Sequence, residues 1–226
     1  LKQFSDRQRT VGLNAKKKVT DLTLSASGDL RDDWLSGGVN TYEASLVFGK
    51  VDLERRSASN NDNPPNFSLM KLSATRLQNL VDNRLLLYAS LKAQLAFKNL
   101  DSTEQFQLGG PDRVRAYAPG EGTGDEGLAV SLELRFLPPE AWFGRVAREL
   151  VFSAFIDAGT VRRRHDPTRA ESSSSEPFVN TATLTGWGVG AVWDRPRDFA
   201  LRAYLAWPAS GVAVSALKVL RHPPHR

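Results

Sequence analysis

The segment 84–98 alternates apolar and polar residues without interruption. Every second residue from Leu85 to Phe97 is apolar, whereas the residues between them, such as Lys92 and Gln94, are mostly polar. A period of two residues predicts a β-strand with one apolar face. Ordinary strands have about five or six residues. An alternation of fifteen residues is therefore typical of a tilted strand that crosses a membrane.

Shorter segments with the same period occur along the rest of the chain. They lie at 19–30, 40–51, 67–76, 128–136, 149–161, 186–193 and 199–207. With 84–98 and a possible strand at 212–219 the named segments make nine, and we expect about nine to ten strands. Long polar connections at 55–66 and 162–177 alternate with short ones at 80–83, 137–143 and 194–198. This pattern predicts an all-β, antiparallel transmembrane β-barrel in which 1–226 is a single domain.

The composition excludes several other classes of protein. The 226 residues contain no cysteine, which excludes disulfide scaffolds and thiolate sites. Lysine and arginine number 30 against 25 acids, a mixed surface that gives no reason to expect a nucleic-acid partner. The three histidines, at 165, 222 and 225, lie in polar or terminal segments. We therefore predict no metal site, no cofactor and no catalytic residue.

One loop carries the sequence that is most informative about function. FQLGGPDRVRAY at 106–117 precedes an acidic, glycine-rich stretch at 120–127 and the strand LAVSLELRF. The strand FSAFIDAG follows, with Asp157 opposite its apolar residues, and Glu133 lies on the polar face of the preceding strand. Parity therefore places both acids on inward faces, and we favour an ion-pair role for them over an acid–base pair for hydrolysis.

The acidic stretch 120–127 does not have the spacing of a calcium loop, and it lacks the lysine of a phosphate loop. We interpret it as a flexible hinge. Gly186, Gly188 and Gly190 alternate on one strand face. We expect them to leave room for a loop inside the barrel.

These motifs resemble the two-partner-secretion transporters (TpsB), which are the haemolysin-activator and haemagglutinin-secretion proteins of Gram-negative outer membranes. The resemblance rests on Leu108-Gly109-Gly110, on Val114-Arg115-Ala116-Tyr117 and on the following FIDAG. It implies a sixteen-stranded barrel preceded by POTRA domains, so that this chain supplies about nine to ten strands and no POTRA domain. We expect the chain to be a piece of a longer protein. Its end at His222–Arg226 lacks the terminal aromatic residue that the family's last strand usually has.

The resemblance also assigns roles to residues. It implies that 99–127 is a lumenal loop with Arg115 at its tip, and that Val114, Ala116 and Tyr117 complete the tetrad. Asp157 would be the acid of the inner-wall motif and the partner of Arg115, with Glu133 as the competing partner, because a guanidinium in a narrow lumen needs a carboxylate. The full set of implied site residues is Gly109, Gly110, Val114, Arg115, Ala116, Tyr117, Phe155, Asp157 and Gly159, with Glu133 as the second acid.

The implied function is a protein-conducting pore, not an enzyme, that secretes a large β-helical exoprotein (TpsA type). The implied surroundings are outer-membrane lipid and lipopolysaccharide, and the barrel-assembly machinery would insert the protein. Three alternatives stay open: a BamA-type insertase, a passive porin, and a soluble β-sandwich lectin or hydrolase. The long strand at 84–98 disfavours the last of these.

Overall fold

The computed structural model of the chain describes residues 2–8, 13–53, 65–167, 179–209 and 214–221. Ten strands form one antiparallel sheet in which each strand pairs with its neighbours along the chain. They are β1 (Lys2–Gln8), β2 (Leu13–Asp32), β3 (Gly38–Leu53), β4 (Asn66–Val81), β5 (Leu85–Ala96), β8 (Glu126–Phe136), β9 (Leu150–Arg162), β10 (Thr181–Arg195), β11 (Phe199–Pro208) and β12 (Val214–Arg221). The prediction of an all-β, antiparallel fold with nine or ten strands is confirmed.

The remaining elements lie in the connections. The short strands β6 (Phe106–Gln107) and β7 (Thr123–Gly124) pair with each other between β5 and β8. Helix α1 (Glu140–Phe143) and a 3₁₀ turn (Gly144–Glu149) precede β9. Within the described residues β1 and β12 pair on one side only, so the sheet is not closed. No described helix is long and apolar enough to span a membrane.

Strand boundaries differ from the prediction mainly where the sequence is polar. β1 was not predicted, since residues 2–8 contain only one large apolar residue, Phe4. β2 and β3 extend beyond 19–30 and 40–51, because backbone pairing continues where the alternation has stopped. β12 begins two residues later than the predicted segment 212–219.

Connections alternate between the two edges of the sheet, as predicted. One edge has the connections 33–37, 82–84, 137–149 and 196–198, and the other has 54–65, 97–125 and 163–180. On the first edge 137–149 is the exception to short turns, because it contains α1 and the 3₁₀ turn and extends beyond the predicted 137–143. At 82–84 both Asp82 (φ 44°) and Asn83 (φ 55°) have positive φ, which is typical of the tightest hairpins. Most of the predicted loops 55–66 and 162–177 lies outside the described residues.

The sheet has one face that is apolar and exposed. Leu22, Leu132, Ile156 and Trp187 project from it with 61%, 48%, 64% and 52% of their surfaces exposed. We call this the apolar face. Exposed apolar side chains at every second position of neighbouring strands are typical of contact with lipid. The opposite face, which carries Ser131, Glu133 and Asp157, is called the loop-bearing face.

A cluster of polar side chains, the polar inset, lies on the apolar face and is formed by Asp32, Asn40, Arg76 and Gln78. The Arg76 guanidinium donates to Asp32 Oδ2 at 2.8 Å, to Asp32 Oδ1 at 2.9 Å and to Asn40 Oδ1 at 2.8 Å. Gln78 Nε2 donates to the carbonyl oxygens of Trp34 and Gly37, each at 2.9 Å. These bonds fasten the β2–β3 turn to β4.

Candidate functional site: an arginine-anchored loop

The connection between β5 and β8, residues 97–125, lies on the loop-bearing face, and we call it the inserted loop. β8 begins at Glu126, so the connection is slightly shorter than the predicted 99–127 at that end. Its apolar side chains are buried against the sheet: Leu108 and Val114 are 0% exposed and Phe106 is 3% exposed. They pack with Ala129 and Val161 in one hydrophobic cluster. Apolar burial therefore holds the body of the loop in place.

Gly109 and Gly110 shape the turn that presents the loop tip, residues 110–117. A β-carbon on Gly109 would lie 2.3 Å from the carbonyl oxygen of Ala118, and Gly110 has φ +126°. A side chain at either position would clash or would force strained backbone. A parallel bridge joins Gly109 to Val114. The two glycines thus let the chain double back directly before Arg115.

The Arg115 side chain contacts both predicted acids. Its Nε donates to Asp157 Oδ2 at 2.9 Å, and one terminal nitrogen donates to Asp157 Oδ1 at 2.9 Å, which is a bidentate pair. The other terminal nitrogen donates to Glu133 Oε2 at 2.5 Å. Asp157 and Glu133 are therefore not alternatives, because one guanidinium spans both.

The register of the sheet explains why these acids converge. Ser131 of β8 pairs with Asp157 of β9, and Glu133 pairs with Phe155. All four side chains consequently lie on one face within two rows. Ser131 Oγ donates to Asp157 Oδ1 at 2.7 Å and accepts from Arg115 at 3.0 Å. Sequence reasoning missed Ser131, although its position two residues before Glu133 places it on the same face.

The two acids are held differently. Asp157 is 0% exposed and also accepts the backbone N–H of Arg115 at 3.0 Å. The Glu133 side chain is 12% exposed and shares its charge with Arg135, whose Nε donates to Glu133 Oε1 at 2.8 Å. Among the described residues, Asp157 therefore depends on the loop for its cationic contact, whereas Glu133 has a second one on its own strand.

An aromatic ring completes the surroundings of Arg115. The guanidinium carbon lies 3.4 Å from the centroid of the Phe155 ring, a cation–π contact. Burial by itself lowers the pKa of the Arg115 guanidinium, but its hydrogen bonds to Asp157 and Glu133 raise the pKa above the ordinary value. The loop tip is thus a permanently charged group held between two carboxylates.

Arg113, two residues earlier, has a different environment. Its guanidinium carbon lies 4.3 Å from the centroid of the Phe106 ring. Its Nε finds no hydrogen-bond acceptor in the part of the chain that the structure describes. Burial lowers the pKa of the Arg113 guanidinium. Of the two tip arginines, Arg115 is the one that joins the loop to the wall.

The other predicted tip residues pack around this ion pair. Val114 and Ala116 are 0% and 2% exposed. The Tyr117 hydroxyl donates to the carbonyl oxygen of Thr185 at 3.3 Å. A β-carbon on Gly159 would lie 2.4 Å from Leu108 Cδ1, so this glycine leaves space for a loop side chain. The tetrad and the inner-wall motif therefore meet at one place.

The glycines of β10 face the loop at one position. A β-carbon on Gly186 would lie 2.5 Å from the Ala116 β-carbon, so the expectation of space for the loop is confirmed there. At Gly188 the nearest side-chain atoms belong to Phe155, and at Gly190 they belong to Ser153. These two glycines accommodate side chains of the wall itself, which differs from the prediction.

The acidic stretch 120–127, which we predicted to be a hinge, makes several polar contacts. Glu121 accepts the backbone N–H of Ala118 at 2.8 Å. Glu126 lies 2.5 Å from His165 Nδ1 and 3.7 Å from Arg162. Among the described residues there is no group of three or more histidines and acids that could hold a metal.

The sequence is similar to that of known proteins over most of its length. The family model described as haemolysin secretion/activation protein ShlB/FhaC/HecB matches residues 15–192. The heme/hemopexin transporter protein HuxB of Haemophilus influenzae (strain 86-028NP) is 23% identical over 210 residues, which are 91% of this chain and 35% of the relative. In strain ATCC 51907 / DSM 11121 / KW20 / Rd the identity is 24%, with the same coverage. The chain thus spans about a third of the length of these relatives.

Two solved structures show the fold. CdiB from Acinetobacter baumannii aligns with a TM-score of 0.51 and 14% identity, over 97% of this chain and 45% of CdiB. BamA from Haemophilus ducreyi, lacking POTRA domains 1–3, aligns with a TM-score of 0.50 and 14% identity, over 96% of this chain and 57% of BamA. The ten-stranded sheet therefore corresponds to part of an antiparallel β-barrel. By the match over most of its length, the chain belongs to the haemolysin secretion/activation protein ShlB/FhaC/HecB family.

Proposed function

We propose that this chain is the C-terminal barrel portion of a protein-conducting pore, not an enzyme, that secretes a large β-helical exoprotein by two-partner secretion. Membership of a haemolysin secretion/activation family supports this function. The name of the HuxB relatives, heme/hemopexin transporter, supports transport as the general activity. In this proposal residues 97–125 form the lumenal loop, and 1–226 belongs to one barrel domain.

The observation that carries the proposal is the contact of Arg115 with Asp157 and Glu133. A pore that must open for an unfolded protein needs a closure that is stable at rest and breakable in use. A partly buried guanidinium with two carboxylates meets both needs, since breaking such a pair costs about 3–5 kcal/mol. Water in the lumen reduces this cost by solvating the separated charges.

The mechanism we propose is displacement of the loop tip. At rest, Arg115 holds the tip on the loop-bearing face, which becomes the inner wall of a closed barrel. An extended exoprotein segment enters, takes the volume of the tip and separates Arg115 from its acids. Ser131 and water then solvate Asp157 until the tip returns.

The exposed apolar face supports a position in the outer membrane of a Gram-negative bacterium. Side chains such as Leu132 and Ile156 would contact the acyl chains of outer-membrane lipid and lipopolysaccharide. Insertion by the barrel-assembly machinery is part of the same proposal.

A BamA-type insertase and a passive porin are the competing functions. The alignment with BamA supports a shared fold only, whereas the family match favours secretion. A porin gives no reason for a loop whose tip is fastened to two wall acids. Several POTRA domains in the full-length protein would instead favour the insertase.

The test is secretion of the cognate exoprotein by the full-length protein carrying Arg115→Ala. We expect secretion to fall by about tenfold or more, since the loss of Arg115 leaves the buried Asp157 carboxylate without its cation and the tip without its ion pairs to the wall. Arg115→Lys should recover part of it, because lysine keeps the charge but not the bidentate geometry. Arg145→Ala, which removes an exposed arginine of the β8–β9 connection, is the matched control.

Equal amounts of heat-modifiable barrel in the membrane must accompany the loss, so that failed insertion is not mistaken for failed secretion. Undiminished secretion with Arg115→Ala would remove the loop tip from the mechanism. Impaired insertion of barrel precursors into the membrane, with normal secretion of the exoprotein, would indicate the insertase.

A further inference from the structure

A second group of contacts, which does not involve Arg115, holds the two ends of the inserted loop. Its centre is Asp125, which is 1% exposed. Asp125 Oδ1 accepts from Gln105 Nε2 at 2.9 Å, and Oδ2 accepts the backbone N–H of His165 at 3.0 Å. The Asp125 backbone N–H donates to the carbonyl oxygen of Arg163 at 3.3 Å. One carboxylate thus joins both limbs of the loop to the segment that follows β9.

The sheet itself also takes part in this group. Gln94 of β5 is 4% exposed. Its Nε2 donates to the carbonyl oxygens of Glu104 at 2.9 Å and Asp125 at 3.1 Å, and these belong to the two limbs of the loop. We call Asp125, Gln105, Gln94 and the backbone of 163–165 the base anchor.

Close backbone packing surrounds the base anchor. A β-carbon on Gly124 would lie 2.4 Å from the carbonyl oxygen of Arg162, so the backbone of the loop at Gly124 directly contacts the end of β9. Asn99 Nδ2 donates to the carbonyl oxygen of Asp166 at 3.0 Å, and Asn99 Oδ1 accepts the backbone N–H of Asp166 at 2.7 Å. The base of the loop is therefore continuous with the β9–β10 connection.

The base anchor and the tip differ in what is lost when each separates from the rest of the protein. At the tip, one side chain, Arg115, makes the ion pairs to the wall, and its partners include Glu133, which has Arg135 as another cation. At the base, several buried backbone groups would lose their partners together, and each buried unsatisfied group is costly. A force that releases the tip therefore leaves the base closed.

We propose that Asp125 is a second positioning residue of the inserted loop: it keeps the base closed while the tip moves, so that the loop turns about its base during secretion. This inference rests on the proposed function. It predicts that a covalent tether across the base is compatible with secretion, whereas a tether at the tip is not.

The chain has no cysteine, so engineered cysteine pairs can be bridged selectively in a full-length protein free of other cysteines. Asn99→Cys with Asp166→Cys tethers the base. Lys92→Cys with Asp112→Cys tethers the tip, where Lys92 Nζ donates to the carbonyl oxygen of Asp112 at 3.1 Å. A short bis-maleimide closes either pair, and the same double variant without reagent is the control.

We expect the base tether to leave secretion at the level of its untreated control and the tip tether to stop it. Arrest by the base tether would overturn the inference, because the base would then have to open. Secretion that continues with the tip tethered would instead contradict tip displacement and with it the proposed function. The two failures are thus distinguishable.

A second variant tests the carboxylate itself. Asp125→Ala removes the acceptor of two N–H donors, and we expect the yield of the tip tether to fall by about tenfold as the loop loosens. Asp125→Asn should keep most of the yield, because the Gln105 amide can turn its oxygen toward the new N–H₂ while the remaining oxygen accepts from His165. Barrel heat-modifiability should stay constant in both. An unchanged tether yield in Asp125→Ala would overturn the positioning role.

Discussion

At the scale of single residues, the site is defined by what each acid would lose without Arg115. Asp157 is buried and accepts three N–H donors of Arg115 together with Ser131 Oγ. Glu133 keeps Arg135 as a cationic partner. The two acids therefore share one guanidinium but differ in their dependence on it.

This difference predicts unequal effects of neutralising the acids. We expect Asp157→Asn to destabilise the tip contact by about 3–5 kcal/mol, because a buried ion pair is broken. Glu133→Gln should cost less, about 1–2 kcal/mol, since its charge is more exposed and the amide still accepts. The yield of the Lys92→Cys/Asp112→Cys tether, measured in each of the two variants, would compare the two losses of stability. Equal yields in the two variants would contradict the ranking.

A second prediction concerns the contact between the tip and β10. Gly186→Ala places a β-carbon against Ala116, and overpacking of this kind costs about 1–3 kcal/mol. We expect reduced secretion that Ala116→Gly partly restores. The rescue is partial because the new β-carbon also lies 3.1 Å from the carbonyl oxygen of Trp207. Gly190→Ala, whose nearest side-chain contact is Ser153 in the wall, is the control.

At the scale of strands, alternation was sufficient to predict most of the sheet. The faces of β5, β8 and β9 follow from side-chain parity, and this parity placed Glu133 and Asp157 together. Parity cannot reveal that one arginine spans both acids, since it does not fix how deep a loop inserts. The base anchor was not predicted either, because Asp125, Gln105 and the segment 163–165 lie in polar connections without periodicity.

The polar inset interrupts the apolar face at strands β2, β3 and β4. Arg76 pairs across strands with Ala89 of β5, so a charge lies where the neighbouring strand is apolar. Trp34 covers it, with the Arg76 guanidinium carbon 5.3 Å from the ring centroid. The inset is thus a self-contained polar network that holds the β2–β3 turn against β4.

We predict that Arg76→Ala destabilises the barrel more than Asp32→Ala/Arg76→Ala does. The single variant leaves an unpaired carboxylate at an apolar surface, whereas the double variant removes both charges. Urea unfolding in detergent micelles, followed by tryptophan fluorescence, would compare them. A double variant less stable than the single one would show that the inset acts through packing and not through charge pairing.

At the scale of the whole molecule, the sheet is a meander with two outer strands. In the described residues β1 pairs with β2 alone and β12 pairs with β11 alone. Each therefore presents a row of backbone donors and acceptors that a closed barrel would satisfy. The comparison structures, of which the chain aligns with 45% and 57%, contain additional chain that could do so.

This open sheet predicts how the 226-residue chain behaves alone. We expect it to self-associate in detergent through its outer strands, whereas the full-length protein should be monomeric. Size-exclusion chromatography with light scattering would measure the difference. A monodisperse monomer of the isolated chain would show that the outer strands are protected in some other way.

The hydrogen bonds of Arg115 have a consequence for the proposed secretion. Four side-chain N–H donors are already used by Asp157, Glu133 and Ser131, which leaves a single donor for an exoprotein segment. If the chain belongs to a secretion pore, as we propose, an acidic segment would find little of the guanidinium left to bind, and a basic one would have to take both acids at once. Displacement of the tip would then depend on the volume of the segment and not on its charge, so that selection of the exoprotein would have to precede its contact with the tip.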